Sequence, residues 1–242
     1  MAVQSTSAIV LHTIKYGDSS LIVDTYTREF GRMAFMVNGV HRKKSSTKAN
    51  LFQPLFLLQL QVNYQPKRNL QGIKEMSLQP PLASISDNIF KRTLALFLAE
   101  VVARTVREEE QNQSLYQFIE QSILLLEEED PVPPNFHLSF LLQLSAFLGF
   151  YPNDDGIDQA NYFDLKEGDF TIHPPAHRHV INRPEIDYFK PLVQEKMSES
   201  MHFRIPKESQ QQLIHQFLEY YRLQLGNFPE IRSLEILQAV FA

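Results

Sequence analysis

Four cations fall within seven residues of the stretch VNGVHRKKSSTKAN: Arg42, Lys43, Lys44 and Lys48, with Ser45, Ser46 and Thr47 between them and His41 before them. Lysine and arginine neutralise phosphates, and hydroxyls and loop amides add hydrogen bonds to phosphate oxygens, so this combination suits a polyanionic backbone. A second basic pair, Lys67 and Arg68, lies in YQPKRN, and Arg32 stands at the start of a strand. A lone run of cations is usually just a solvated loop. Two basic loops and a basic strand start together read as a nucleic-acid footprint. Tyr26 and Phe35, on neighbouring strands, are either stacking surfaces for bases or core residues. Nothing resembles a recognition helix or a finger, so base-specific readout is not expected.

Other chemistries are less well served. His173, His177 and His179 in HPPAHRH, near Asp164 and Asp169, have the nitrogen and oxygen donors a zinc ion takes. The Pro-Pro pair and the intervening Arg178 fit an ordinary polar loop, which is the plainer reading, and no metal is expected. The chain has no cysteine, which excludes disulfides, thiolate nucleophiles and cysteine-ligated metals. Nucleotide-cradling glycine motifs, HExxH and GxSxG are absent, so neither an enzyme nor a cofactor is expected. The acidic runs at 108–110 and 127–130 read as solvated helix ends.

The formal net charge of −5 hides an asymmetry. Residues 1–80 carry 10 Lys/Arg against 4 Asp/Glu, and residues 81–242 carry 13 against 24. The basic part is therefore the one suited to a polyanion. The N-terminus lacks a basic start followed by an apolar core, and no apolar run approaches the ~20 residues of a membrane span. A cytoplasmic protein with no membrane partner is expected.

These residues must be placed by two kinds of element. SAIVLHTIKY predicts a strand over 7–16. SLIVDTYTREFGRMAFMVNGV predicts a hairpin with strands at about 21–28 and 32–40 and Gly31 in the turn. In PLFLLQLQVNY, Phe56, Leu58, Leu60 and Val62 share one face, and LQGIKEMSLQ makes a fifth strand. Five short strands suit a small barrel, with an OB-fold leading and an SH3-like barrel as the alternative. After Pro80-Pro81 the period becomes helical. Ser84 and Asp87 resemble a capping box for a helix turning Ile89, Phe90, Leu94, Phe97, Val101 and Val102 inward. A second stripe runs through Leu115, Phe118, Ile119, Ser122 and Leu126, and a third through Phe140, Leu141, Leu144, Phe147 and Leu148. Residues 151–180 read as an irregular insert with a hairpin around Glu167-Gly168. Helices resume near Pro184 and Pro206, the latter ending at Gly226, and RSLEILQAVF forms the last. The fold class is thus α+β and multidomain: an OB-fold domain over 1–80 and a helical domain over 81–242.

In order and spacing, AIVLHTIKYGDSSLIVDTYTREFGRMAFMVNGVHRKKSS, LFQPLFLLQLQV, FLLQLSAFLGFYPN and LEYYRLQLGNFPEIRSLEIL resemble the RecO family of bacterial recombination mediators. The resemblance spans the chain from first strand to last helix. It implies an N-terminal OB-fold, a helical domain, binding of single- and double-stranded DNA, and annealing of complementary strands. It also implies as partners RecR, the acidic C-terminal tail of the single-strand-binding protein and, indirectly, the recombinase RecA. A tail of that kind needs an apolar groove with a basic rim, for which Arg92, Arg104 and Arg107 are candidates. Many members carry a four-cysteine zinc module where this chain reads NDDGIDQANYFDLKEGDFTIHPPAHRHV, so the usual zinc site is impossible here and packing must hold the insert.

Overall fold

β-branched and aromatic residues alternating with polar ones over the first eighty residues build five strands. They are β1 (Gln4–Tyr16), β2 (Ser20–Thr27), β3 (Gly31–Val37), β4 (Leu57–Val62) and β5 (Leu70–Leu78). The computed structural model describes residues 3–38, 40, 49–106 and 110–241. The strands close into a barrel in the order β1-β2-β3-β5-β4, with β3 and β5 parallel and the other pairs antiparallel. This order, with its parallel β3–β5 pair, is that of an OB-like barrel, the leading one of the two small barrels that the strand count allows. Long β1 serves two neighbours: Gln4–Ile9 pair with β4 and Ala8–Tyr16 with β2, across an irregularity between Val10 and His12. An extra residue at such a point bends a strand and lets the sheet close. Phe56, Leu58, Leu60 and Val62 are all buried, while Gln61 faces water, so the period-2 pattern is obeyed. Gly31 turns β2 into β3 at a φ of 66°, a backbone region that disfavours a side chain.

The helices are α1 (Ala83–Asp87), α2 (Ile89–Thr105), α3 (Gln113–Glu128), α4 (Phe136–Phe147), α5 (Glu185–Gln194), α6 (Met197–Ser200), α7 (Lys207–Leu225) and α8 (Ser233–Val240). Contacts divide the chain into two compact units, Met1–Glu128 with Ile231–Ala242 and Glu129–Glu230. The change from strand to helix near residue 81 therefore falls inside the first unit, which joins the barrel to α1–α3 and α8.

One helix start differs from the sequence expectation. The capping residue of the long helix is Asn88, not Ser84: its side-chain oxygen accepts the N–H groups of Phe90 at 2.9 Å and Lys91 at 3.3 Å. Ser84 lies in short α1, whose Ser84 and Ile85 amides donate to the two carboxylate oxygens of Glu127 at 2.7 and 2.8 Å. Lys91, 1% exposed, donates from its ammonium to Ser84 Oγ (2.7 Å) and to the Glu127 carbonyl (2.8 Å). Glu127 thus works as an internal cap rather than as part of a solvated face. The helix begins at Ile89, and its first two residues project outward while Lys91 turns in. Ile89 and Phe90 are exposed, as is Phe147 at the far end of α4, whereas Leu94, Phe97, Val101 and Val102 are buried as their spacing predicts.

In the second unit α4, α5, α6 and α7 pack on one another, and α5 and α7 meet a sheet of β6 (Tyr162–Asp164), β7 (Asp169–Thr171) and β8 (Val180–Ile181). The hairpin turns at Gly168 as expected. Aromatic packing holds this insert: Phe163 lies 4.9 Å from Phe170, 4.8 Å from Phe189 and 5.5 Å from Tyr220, centroid to centroid. Leu213, Ile214, Phe217, Leu218 and Tyr221 of α7 are buried, and Gly226 ends that helix at a φ of 68°.

His137 of α4 is fully buried, and burial pushes its imidazole down to about 4. The unfolded chain takes up this proton near pH 6.5 and the folded chain does not. The stability contribution of neutral His137 is therefore complete above about pH 6.5 and declines as pH falls towards about 4. Denaturant unfolding is expected to show a loss of about 3 kcal/mol across that window from this residue. The pH slope should flatten in His137→Leu between pH 6.5 and 5.

Candidate nucleic-acid interface

Of the cations singled out by sequence, Arg42, Lys43, Lys44 and Lys48 lie outside the described residues. Their anchors are defined. Strand β3 ends at Val37, the Val40 amide donates to the Ser19 carbonyl at 2.9 Å, and the chain resumes in a 3-10 turn at Ala49–Phe52. Lys67 and Arg68 are exposed in the β4–β5 turn, and neither cation meets a carboxylate among the described residues. That turn adjoins the start of β1, where Gln4 pairs with Val62, and Tyr64 stacks on Phe30 of the β2–β3 turn at 4.5 Å. The 38–49 segment leaves from the opposite end of β3, beside the β1–β2 turn. Only the ends of that segment fall within the described residues, and they lie at the other end of β3 from Lys67 and Arg68.

Arg32 is engaged within the protein. It grips Asp24 with two nitrogens, Nη2 at 2.6 Å and Nε at 3.2 Å. Its Nη1 donates to the carbonyls of Ala103 (2.7 Å) and Val106 (3.0 Å) where α2 ends. The guanidinium so fastens β3 to α2, a planar fork matched to its acceptors. Tyr26 and Phe35 are 1% and 0% exposed and belong to the core, so neither offers a face for stacking. A residue that the sequence did not single out, Arg28, ties the barrel to α3. It donates to Glu120 at 2.6 Å and lies 4.9 Å above the Tyr116 ring. Burial, reinforced by the Glu120 charge, pushes the Tyr116 phenol well up.

Two surface hollows accompany these groups. Where β3 and β5 part, a cleft of about 580 Å³ is lined by Met36, Asn38, Leu51 and Lys74. A larger groove of about 590 Å³ runs between β1 and helices α2 and α8, with Ile14, Leu96 and Ile236 as apolar lining and Arg104 and Arg232 on its wall. Arg104 lies in this lining, where it pairs with Glu100 at 3.8 Å. Arg92 instead donates to the Ser86 carbonyl, and Arg107 lies outside the described residues. Glu100 anchors this groove by capping α8. It accepts from Ser233 Oγ at 2.6 Å and from the Ser233 and Arg232 amides at 2.8 and 3.2 Å. Burial opposes its charge, but the Ser233 hydroxyl, those two amides and nearby Arg104 prevail and hold the carboxyl below its ordinary value.

The histidines do not converge. His177 pairs with Asp164 at 3.3 Å, His179 pairs with Glu219 at 2.7 Å, and His173 is exposed. Asp169 accepts from Asn153 at 3.0 Å. Among the described residues no three His, Asp or Glu side chains gather as a metal site requires. Nor is any helix among them long and apolar enough to cross a membrane.

Sequence comparison bears directly on this arrangement. Residues 1–81 match the family described as Recombination protein O N terminal, and residues 86–235 match Recombination protein O C terminal. The chain is 40% identical over 240 residues to a DNA repair protein RecO of Bacteroides fragilis, covering 98% of this chain and 99% of the relative. It is 36% identical over 236 residues to the protein of that name from Azobacteroides pseudotrichonymphae, covering 98% of both. The corresponding protein of Flavobacterium johnsoniae is 33% identical over 239 residues, again covering 98% of both. With both domain families matched in order and relatives aligned along nearly their whole length, the chain belongs to the RecO family of DNA repair and recombination proteins.

Proposed function

We propose that this protein is a non-enzymatic mediator that binds single- and double-stranded DNA by phosphate contacts and anneals complementary strands. It would help load RecA, with RecR, onto DNA coated with single-strand-binding protein, in the cytoplasm at the nucleoid. The observation that carries the reading is the exposed pair Lys67 and Arg68, without a carboxylate partner among the described residues, on an OB-like barrel whose residues 1–80 hold 10 Lys/Arg against 4 Asp/Glu. Cations placed against two backbones release condensed counterions and lower the repulsion between strands, which is all that annealing requires of a protein. Arg42, Lys43, Lys44 and Lys48 add four cations to the same basic portion of the chain, and Arg32 supports the barrel by fixing β3 to α2.

A docking role is favoured by a separate observation. The groove between β1, α2 and α8 pairs an apolar lining with Arg104 and Arg232, the chemistry an acidic-hydrophobic tail would meet. One experiment separates the two activities: annealing of complementary oligonucleotides, naked or coated with single-strand-binding protein that has or lacks its C-terminal tail. The expected result is faster annealing of naked strands, and of coated strands only when the tail is present. No acceleration on naked strands refutes the DNA reading, and equal rates on the two coated substrates refute the docking reading.

A further inference from the structure

The β4–β5 turn is fastened from beneath by one buried side chain. Gln71, 4% exposed, accepts the Gln65 N–H at 3.0 Å and donates from its own amide to the carbonyls of Gln65 (2.8 Å) and Arg68 (2.5 Å). The Arg68 N–H closes the turn onto the Gln65 carbonyl at 3.0 Å. Both hydrogen-bonding ends of one primary amide are thus spent on holding residues 65–68 in a single conformation. Tyr64, which enters the turn, stacks on Phe30 with centroids 4.5 Å apart and planes at 21°. Both rings are only half-buried, and Lys67 and Arg68 stand exposed beside them.

A stacked pair joining two turns can be simple packing. Packing does not account for two cations on the same turn with no carboxylate partner among the described residues, nor for a buried glutamine dedicated to that turn's shape. We propose that the Phe30–Tyr64 pair is a platform for an unpaired nucleobase. The base extends the existing stack while Lys67 and Arg68 take the flanking phosphates, and Gln71 acts as the positioning residue. Every base has a π-face, so such a site is indifferent to sequence. It does discriminate between strands, because a base within a duplex is already stacked on its neighbours. This inference rests on the DNA-binding reading and adds to it a preference for single strands.

The test uses the full chain and two oligomers of equal phosphate count, an oligothymidylate and its abasic counterpart. The expected result is that the wild-type protein binds oligothymidylate roughly tenfold or more tighter than the abasic oligomer. Tyr64→Leu, which keeps apolar cover over Phe30, should abolish that difference while leaving the salt dependence intact. Tyr64→Phe should restore it. The chain has no tryptophan, so Tyr64→Trp supplies a single reporter. Its fluorescence should be quenched by oligothymidylate and not by the abasic oligomer. Equal wild-type affinity for the two oligomers, or a base preference that survives Tyr64→Leu, overturns the platform while leaving phosphate binding standing. Failure of the wild-type protein to bind either oligomer overturns both.

Discussion

Replacing Arg42, Lys43, Lys44, Lys48, Lys67 and Arg68 together with alanine is expected to weaken binding of single-stranded DNA roughly a thousandfold at 0.15 M salt, measured by fluorescence anisotropy. Each cation that meets a phosphate on a single strand releases about 0.7 of a counterion, and six contacts multiply that gain. The loss should be the same for unrelated base sequences, because phosphate contacts carry no sequence information. Stability should scarcely change. Lys67 and Arg68 are exposed and unpaired with any carboxylate among the described residues, and exposed charges of this kind contribute within about 0.5 kcal/mol. A folded protein that no longer binds DNA is therefore the expected phenotype.

Arg32→Ala should give the opposite pattern, a protein destabilised by roughly 2–3 kcal/mol in urea unfolding that binds DNA within a few-fold of wild type when folded. The substitution strands Asp24 and frees the carbonyls of Ala103 and Val106, which now accept from the Arg32 guanidinium. Breaking a fully buried pair costs about 3–5 kcal/mol. Here the side chains are 26% and 23% exposed, so water screens part of the interaction and the lower figure applies. Adding Asp24→Ala should recover part of the loss, since the orphaned carboxylate goes with it. A stable Arg32→Ala protein with abolished DNA affinity would place the guanidinium in the interface instead.

Periodicity made the barrel and helices legible because each buries one face against one core. Phe56, Leu58, Leu60 and Val62, and the stripe Leu213, Ile214, Phe217, Leu218 and Tyr221, are buried as their spacing demands. The start of α2 differs from its local pattern because Ser84 and Asn88 are both sound capping residues locally. The choice between them is made by Glu127, 43 residues away from Ser84. The insert shows the same limit. Its hairpin is written in Gly168, but the aromatic cluster that packs it draws Phe189 from a different element.

The site was legible as charge and not as arrangement. Lys67 and Arg68 are cations in a turn, and they are found exposed in one. Arg32 has the same residue type, yet its surroundings at the end of α2 turn it inward, and no local pattern announces that. Tyr26 and Phe35 fell on the right strands but on buried positions. Phe30 and Tyr64 carry no local signal because they lie in two separate turns that only the closed barrel brings together. Gln71 likewise reads as an ordinary polar strand residue until its three partners in the neighbouring turn are seen.

The most direct test of the central claim is the salt dependence of single-strand binding, compared between the wild-type chain and the six-alanine variant. Six phosphate contacts predict that the logarithm of affinity falls with the logarithm of salt at a slope about 4 steeper in the wild type than in the variant. Parallel lines for the two proteins would contradict the account and move the DNA site off the barrel's basic turns.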